Sequence, residues 1–294
     1  MTFDAPPAPY RVVLVGAGAV GTAAAYLLRS RGHEIVGVAS RSAESARRGA
    51  AALGSQRVEL HDPIVGRAGL VLVGAPDHAV AGIAEALGPR LEPGAGVVHF
   101  AGSLGVAPLA AVVASGAAAL ALHPVQACPD AATAIRRLPG SAWGVTASPG
   151  ADRWARDLVT DGFSGTPVEV AEPDRPLWHA AAVMASNGLA ALLGAGESLL
   201  DGVGVGAPGD VLGPLLAGTL ANALEGGGGA RTITGPAVRG DAVTVARHLA
   251  ALEGRPYDRR AYVLATLLVV AAARRAGRID ESTYARIVGL VGSP

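Results

Sequence analysis

The stretch HAAAVMASN, residues 179–187, is alanine-rich and apolar in the manner of a helix, yet it opens on His179 and closes on Asn187. A histidine gives or takes a proton near neutral pH, and an asparagine amide can orient a substrate through its donor and its acceptor. Eight residues of α-helix set the two side chains roughly 12 Å apart along the axis and about 80° apart around it. They cannot share one atom, but they can line one wall of a cleft. The alternative for His179 is that it caps or packs the helix. A second grouping lies in RGDAVTVARHL, where Asp241, Thr244, Val245 and His248 fall at i, i+3, i+4 and i+7, one face of a helix. Asp241 could orient a histidine or serve as a helix N-cap, and His248 is a second candidate acid. Arg239 could grip a carboxylate bidentately, and Asn222 in GTLANALEG is a further polar contact for a substrate.

Other chemistries are excluded. All 24 basic residues are arginine, so no mechanism can use a catalytic lysine. No His, Cys, Asp or Glu cluster has metal-ligand spacing, and no Ser–His–Asp arrangement can be argued. Cys128 is the single cysteine, which precludes an intrachain disulfide and fits a reducing cytoplasm. A lone loop cysteine is either a nucleophile or, more ordinarily, a bystander. The 24 acids balance the 24 bases and no basic run occurs, which argues against nucleic acid as a partner. The opening MTFDAPPAPY has neither the basic nor the apolar region of a signal peptide. The apolar run 261–273 has 13 residues, too few to span a bilayer. The chain therefore reads as a soluble, cytoplasmic protein with a small-molecule substrate and no membrane partner.

The elements that must position these groups begin with RVVLVGAGAVGTAAAYLLRSRGHEIVGVASRS. Val12–Val15 is a continuous apolar run, as in a strand of a parallel sheet buried on both faces. Gly16, Gly18 and Gly21 then form G-x-G-x-x-G, followed by a helix to about Arg31 and a second strand over 34–39. In that strand–turn–helix frame the motif is a dinucleotide fingerprint, with the amides of Ala19, Val20 and their neighbours at the helix N-terminus facing the pyrophosphate. An NAD site ends its second strand on an acid that holds the ribose. Here the strand ends Ala39-Ser40-Arg41-Ser42, and Arg41, with Ser40 and Ser42, suits a 2′-phosphate. The expected cofactor is NADP. Further strands run into small-residue loops, and ligands of such sheets lie at the strands' carboxyl ends. Ala75, Pro76, His78, Gly102 and Ser103 are therefore expected at the cofactor, and His123 and Gln126 at the substrate. His78, His99 and His123 serve loop structure or cofactor contact before catalysis. The segments SAWGVTAS and TPVEVA, with the helical stretch 151–162 between them, extend the same sheet.

From Pro173 the alternation of strands gives way to long alanine- and leucine-rich segments, 176–200, 210–225, 241–253, 257–276 and 280–291. The expected architecture is α/β, a Rossmann-type parallel sheet domain over 1–172 followed by an all-helical domain over 173–294, with the site in the cleft between them. A helical domain this apolar is expected to bury a face against a second copy, giving a homodimer.

The order LHPVQ, HAAAVMASN, TITGPAVRGD and VARHLAAL resembles a family whose members join a Rossmann-like oxidoreductase domain to a domain of unknown function. That family lies within the 6-phosphogluconate dehydrogenase-like superfamily, and some of its members are taken to be ketopantoate reductases. The resemblance covers nearly the whole chain. It implies NADP-dependent hydride transfer to the carbonyl of a small oxo acid. Related reductases carry a lysine on the first helix of the second domain, with asparagines one and two turns later. By this resemblance His179 stands at the lysine position and Asn187 at the farther asparagine, while Val183 departs from the pattern. His179 is then the principal proton donor, Asn187 orients the substrate, Arg239 takes its carboxylate, and Asp241 and His248 support the site. Imine reduction, and an NADP sensor without turnover, are the alternatives.

Overall fold

In the computed structural model, which describes residues 9–292, the apolar runs of the first half form one sheet. Its strands are β1 (Arg11–Val15), β2 (Glu34–Ala39), β3 (Leu70–Val73), β4 (Gly96–His99), β5 (Ala118–Pro124), β6 (Ala142–Ala147) and β7 (Thr166–Glu169), in the spatial order β2-β1-β3-β4-β5-β6-β7. Interleaved with them are α1 (Ala19–Ser30), α2 (Ala43–Ala52), α3 (Pro63–Gly66), α4 (Val80–Leu87), α5 (Ala110–Ala114), α6 (Ala131–Arg137) and α7 (Asp152–Asp157). Helices cover both faces, so the central strands need apolar residues at every position. Val12, Leu14, Leu70 and Leu72 face one core with Leu28 and Trp154, while Val13, Val15, Val71 and Val73 face the other with Val80 and Leu109.

Strands β1 to β5 are mutually parallel. β6 pairs antiparallel with β5, and β7 runs parallel to β6, so the last two strands depart from the all-parallel expectation. The strand order reverses between β1 and β3, which opens a crevice above their carboxyl ends, the place where such sheets hold ligands. Three glycines make that crevice possible by packing on a fourth. A Cβ on Gly16, Gly18 or Gly21 would fall within 2.8 Å of Gly74 backbone atoms, and one on Gly74 would lie 2.5 Å from the Gly16 carbonyl oxygen. Gly16 also has φ +87°, a conformation that other residues adopt only under strain.

After β7 a 3₁₀ turn (Glu172–Asp174) leads into α8 (Arg175–Val183). Arg175 is fully buried. Its Nε donates to Thr146 Oγ1 at 2.8 Å, and its Nη2 donates to the carbonyl oxygens of Ala121 and, at 3.2 Å, of Gly144. The two compact units of the chain are Met1–Val183 and Met184–Pro294, which puts the boundary at 183/184 rather than near 172. Periodicity shows where a helix begins; it does not show what the helix packs on, and the buried arginine ties α8 to the sheet.

The second unit opens with a π-helical turn, Met184–Gly188, and continues as α9 (Leu189–Asp201), α10 (Pro208–Glu225), α11 (Gly229–Thr232), α12 (Ala242–Ala251), α13 (Pro256–Arg275) and α14 (Glu281–Val291). Its core is small, built on Ala237, Val245, Val270, Ile287 and Val291. On α9 and α10 the apolar side chains Leu192, Val211, Leu215, Leu220 and Leu224 are exposed. By length and composition alone the helical run Glu172–Asp201 is long and apolar enough to cross a membrane, and none of its most apolar window is buried.

Candidate active site

A cavity of about 560 Å³ occupies the crevice over β1 and β3. Gly16, Ala17 and Gly18 form its floor. Gly18 caps α1 without a side-chain hydrogen bond, so the first amides of the helix, those of Ala19, Val20 and Gly21, stay available to an anion. These three residues stand behind the floor and are not part of the lining. At one side Ser40, Arg41 and Ser42 line the cavity. Ser42 Oγ accepts the amide N–H of Ser45 at 3.3 Å and so caps α2. Among the described residues the exposed Arg41 has no ion-pair partner, which leaves its guanidinium for a phosphate. Ala75, Pro76 and His78 form the opposite wall. Leu60, Ala79 and Ile83, which the sequence reading missed, complete an apolar stretch suited to a planar base, and Ser45 and Glu59 also reach the lining. Glu59 is already paired with Arg57. The sequence carries no strand pattern for this segment, which follows α2 as turns around an isolated bridge from Arg57 to Val38 of β2.

Farther along the same edge lies a second cluster. His99 is fully buried at the end of β4. Its Nε2 is 2.7 Å from the Gly105 carbonyl oxygen and its Nδ1 accepts the Ala101 amide at 3.2 Å, so this ring holds the loop after β4. Burial holds its pKa below the usual histidine value. Ser103 touches Asp77 at 3.5 Å, joining the loops after β3 and β4. Glu172 accepts the amides of Val106 and Ala107 at 2.7 and 3.0 Å and fixes the far end of the same loop. Within that loop Gly102 and Ser103 lie outside the cavity lining. Gly102 instead lies under two imidazoles: a Cβ there would sit 2.4 Å from Cδ2 of His179 and 2.8 Å from Nε2 of His123. The two rings meet edge to face with centroids 5.3 Å apart. Trp178 Nε1 donates to His123 Nδ1 at 3.1 Å. Burial, then the neighbouring His179 and Arg175, push the His123 pKa down to about 4. Burial lowers the Arg175 pKa to about 10, which leaves it charged at neutral pH.

The remaining expected residues are placed otherwise. Gln126 Nε2 donates to Ser141 Oγ at 3.2 Å and its Oε1 accepts the Ala127 amide at 3.0 Å, so its polar atoms serve the loop after β5. Burial pushes the Cys128 thiol up, the environment of an inert cysteine. In the second unit Asn187 is exposed within the π-helical turn, and Asn222 and Arg239 are exposed on α10 and before α12. Asp241 caps α12: its Oδ1 accepts the Thr244 amide at 3.0 Å and its Oδ2 accepts the Thr244 hydroxyl at 2.7 Å. These bonds hold its carboxyl below the usual range. His248 Nδ1 lies 2.8 Å from Tyr262 Oη.

Residues 2–124 match a Rossmann-like domain and residues 141–268 match a domain of unknown function designated DUF2520. No curated protein matches the sequence. A solved structure from Bacteroides fragilis, described as an NADP oxidoreductase, is 25% identical with a TM-score of 0.72, over 88% of this chain and 97% of that one. The protein TM1727 from Thermotoga maritima is 22% identical with a TM-score of 0.67, over 90% and 99%. The reductive aminase of Aspergillus terreus, solved with NADPH and ethyl-5-oxohexanoate, is 18% identical with a TM-score of 0.58, over 96% and 92%. The chain has the fold of NADP-dependent oxidoreductases.

The lowered His123 pKa makes a stability prediction. Between its unfolded value near 6.5 and its native value of about 4, the unfolded chain binds the extra proton. Stability therefore rises with pH across that window and is lost as pH falls through it, and buried His99 acts in the same direction. All three tryptophans, Trp143, Trp154 and Trp178, belong to the first unit, so their fluorescence reports its unfolding. Urea midpoints should fall between pH 6.5 and 4, His123 removing about 3 kcal/mol of unfolding free energy across that window, and His123→Gln should flatten the slope.

Proposed function

We propose that the chain is an NADP(H)-dependent reductase acting on the carbonyl of a small oxo acid, in the manner of a ketopantoate reductase. The observation that carries this reading is the meeting of His123 and His179 over Gly102, on the same sheet edge as the glycine turn. The residues fit the cofactor. The glycine floor leaves no room for side chains where a pyrophosphate must approach, and Arg41, Ser40 and Ser42 offer donors to a 2′-phosphate in place of the acid that would hold an unmodified ribose. When bound, NADPH supplies a hydride to the carbonyl carbon. The carbonyl π pair then moves onto oxygen, and His179 gives that oxygen a proton, which solvent restores to the ring. His123, uncharged, donates a hydrogen bond to the same oxygen and stabilises its developing charge. The exposed apolar faces of α9 and α10 support a homodimer, because patches of this kind are seldom left in water by a stable monomer.

Imine reduction is the second reading. An uncharged His123 tolerates a cationic iminium where an ammonium would repel it, and the reductive aminase from Aspergillus terreus shares this fold.

Three measurements test these readings. Titration should give tighter binding of NADPH than of NADH, and Arg41→Ala should weaken NADPH binding about tenfold or more while leaving NADH nearly unchanged; equal affinities in the native protein would remove the NADP assignment. A screen of oxo acids and cyclic imines for NADPH consumption separates the two substrate classes, and His179→Ala should lower turnover of the best substrate by roughly 10²-fold with NADPH binding intact. No turnover of any candidate would favour a sensor. Light scattering on the purified chain should give the mass of a dimer, and a monomer would oppose that assignment.

A further inference from the structure

We infer that Trp178 is a positioning residue: its indole N–H fixes His123 as the neutral Nε2–H tautomer and so aims a hydrogen-bond donor over Gly102. An indole nitrogen can only donate. The ring nitrogen facing it, His123 Nδ1 at 3.1 Å, must therefore be the acceptor, and a neutral imidazole then carries its proton on the other nitrogen. That other nitrogen, Nε2, has no hydrogen-bond partner among the described residues, and it lies on the Gly102 side of the ring. The result is a donor committed in direction and not taken up by another side chain or carbonyl among the described residues.

The fold builds a seat for this indole. His123 of β5 stands directly opposite Gly144 of β6 in the antiparallel ladder. A Cβ on Gly144 would lie 2.7 Å from both Cε2 and Nε1 of Trp178, so the absent side chain is what lets the indole lie over that pair. One turn earlier on α8, buried Arg175 bonds to Thr146 and to the Ala121 and Gly144 carbonyls, which sets the height of the helix on the strands. The charged and titratable groups facing His123 are Arg175 and His179. Arg175 is a buried cation without a carboxylate in salt-bridge contact among the described residues, and it disfavours a second charge on His123. Protonating Nδ1 would also set an N–H against the indole N–H. Both effects keep the ring a neutral donor.

The inference rests on the proposed reductase reading for its purpose, but its physical content is measurable without cofactor or substrate. Long-range proton–nitrogen correlation on the nitrogen-15 histidine-labelled full chain should give His123 an acceptor-type shift at Nδ1 and a proton-bearing shift at Nε2. Trp178→Phe keeps a ring over Gly144 and removes only the N–H; it should convert these signals toward a tautomer mixture and raise the His123 titration midpoint. Gly144→Ala keeps the indole but pushes it off its seat and should produce the same change, so the two variants guard against a folding artefact in either. With a substrate in hand, Trp178→Phe should lower kcat on the order of tenfold and leave the Kd for NADPH unchanged. A His123 that carries its proton on Nδ1 in the native chain, or nitrogen shifts that do not move in either variant while both stay folded, would overturn the inference. Correct shifts with unaltered kcat would leave the tautomer lock standing and remove the catalytic use of His123.

Discussion

The candidate site depends on a guanidinium held inside the sheet domain with no carboxylate in salt-bridge contact among the described residues, Glu172 acting on it only from a distance. Arg175 has no exposed surface and replaces water with the Thr146 hydroxyl and two strand carbonyls. A charge so placed is costly to bury and costly to disturb, so the helix that carries it has little freedom to slide. Trp178 and His179 follow three and four residues later on the same helical face. From the Ala121 and Thr146 level to the His123 and Gly144 level is roughly 6.6 Å along the strands, and three residues of helix advance about 4.5 Å. The arginine thus works as a fixed origin from which the indole and the imidazole are measured out toward the ligand edge.

The reversal of β6 makes this possible. Had the last two strands continued parallel to β5, the chain would leave β7 at the ligand edge and its next helix would run away from that edge. Because β6 and β7 point the other way, α8 starts near mid-sheet and runs back over β5 and β6. The histidine pair is brought together by strand direction as much as by side-chain chemistry.

Much of this was legible in the residues alone. The glycine spacing in its strand–turn–helix frame located the cavity, and the sequence Ser40-Arg41-Ser42 at the end of β2 does line it. The helices of the second half fall close to the expected segments because an apolar stripe of period 3.6 marks them. What escaped was set by partners distant in sequence. Direction is not written into a strand, so SAWGVTAS gave no sign that it runs antiparallel. Gly74 looks like any loop glycine until three others are packed on it. Trp178 sits in an apolar helix where an aromatic residue signals packing, and only the opposing His123 and Gly144 give its N–H a use. Gln126 offered a substrate contact by its position, but neighbouring Ser141 and Ala127 take its polar atoms.

Strand direction also divides the ligand edge electrically. Helices α1, α2 and α4 each begin just past the carboxyl end of a forward strand, so their positive dipole ends converge on the β2-β1-β3 side of the sheet. Beyond β5 the strands point backward, and α7 starts at the opposite edge. The cavity over the glycine turn and Arg41 therefore lies on the side of the edge where these helices begin. The same reversal that delivers the histidines to this edge thus also turns the start of α7 away from it.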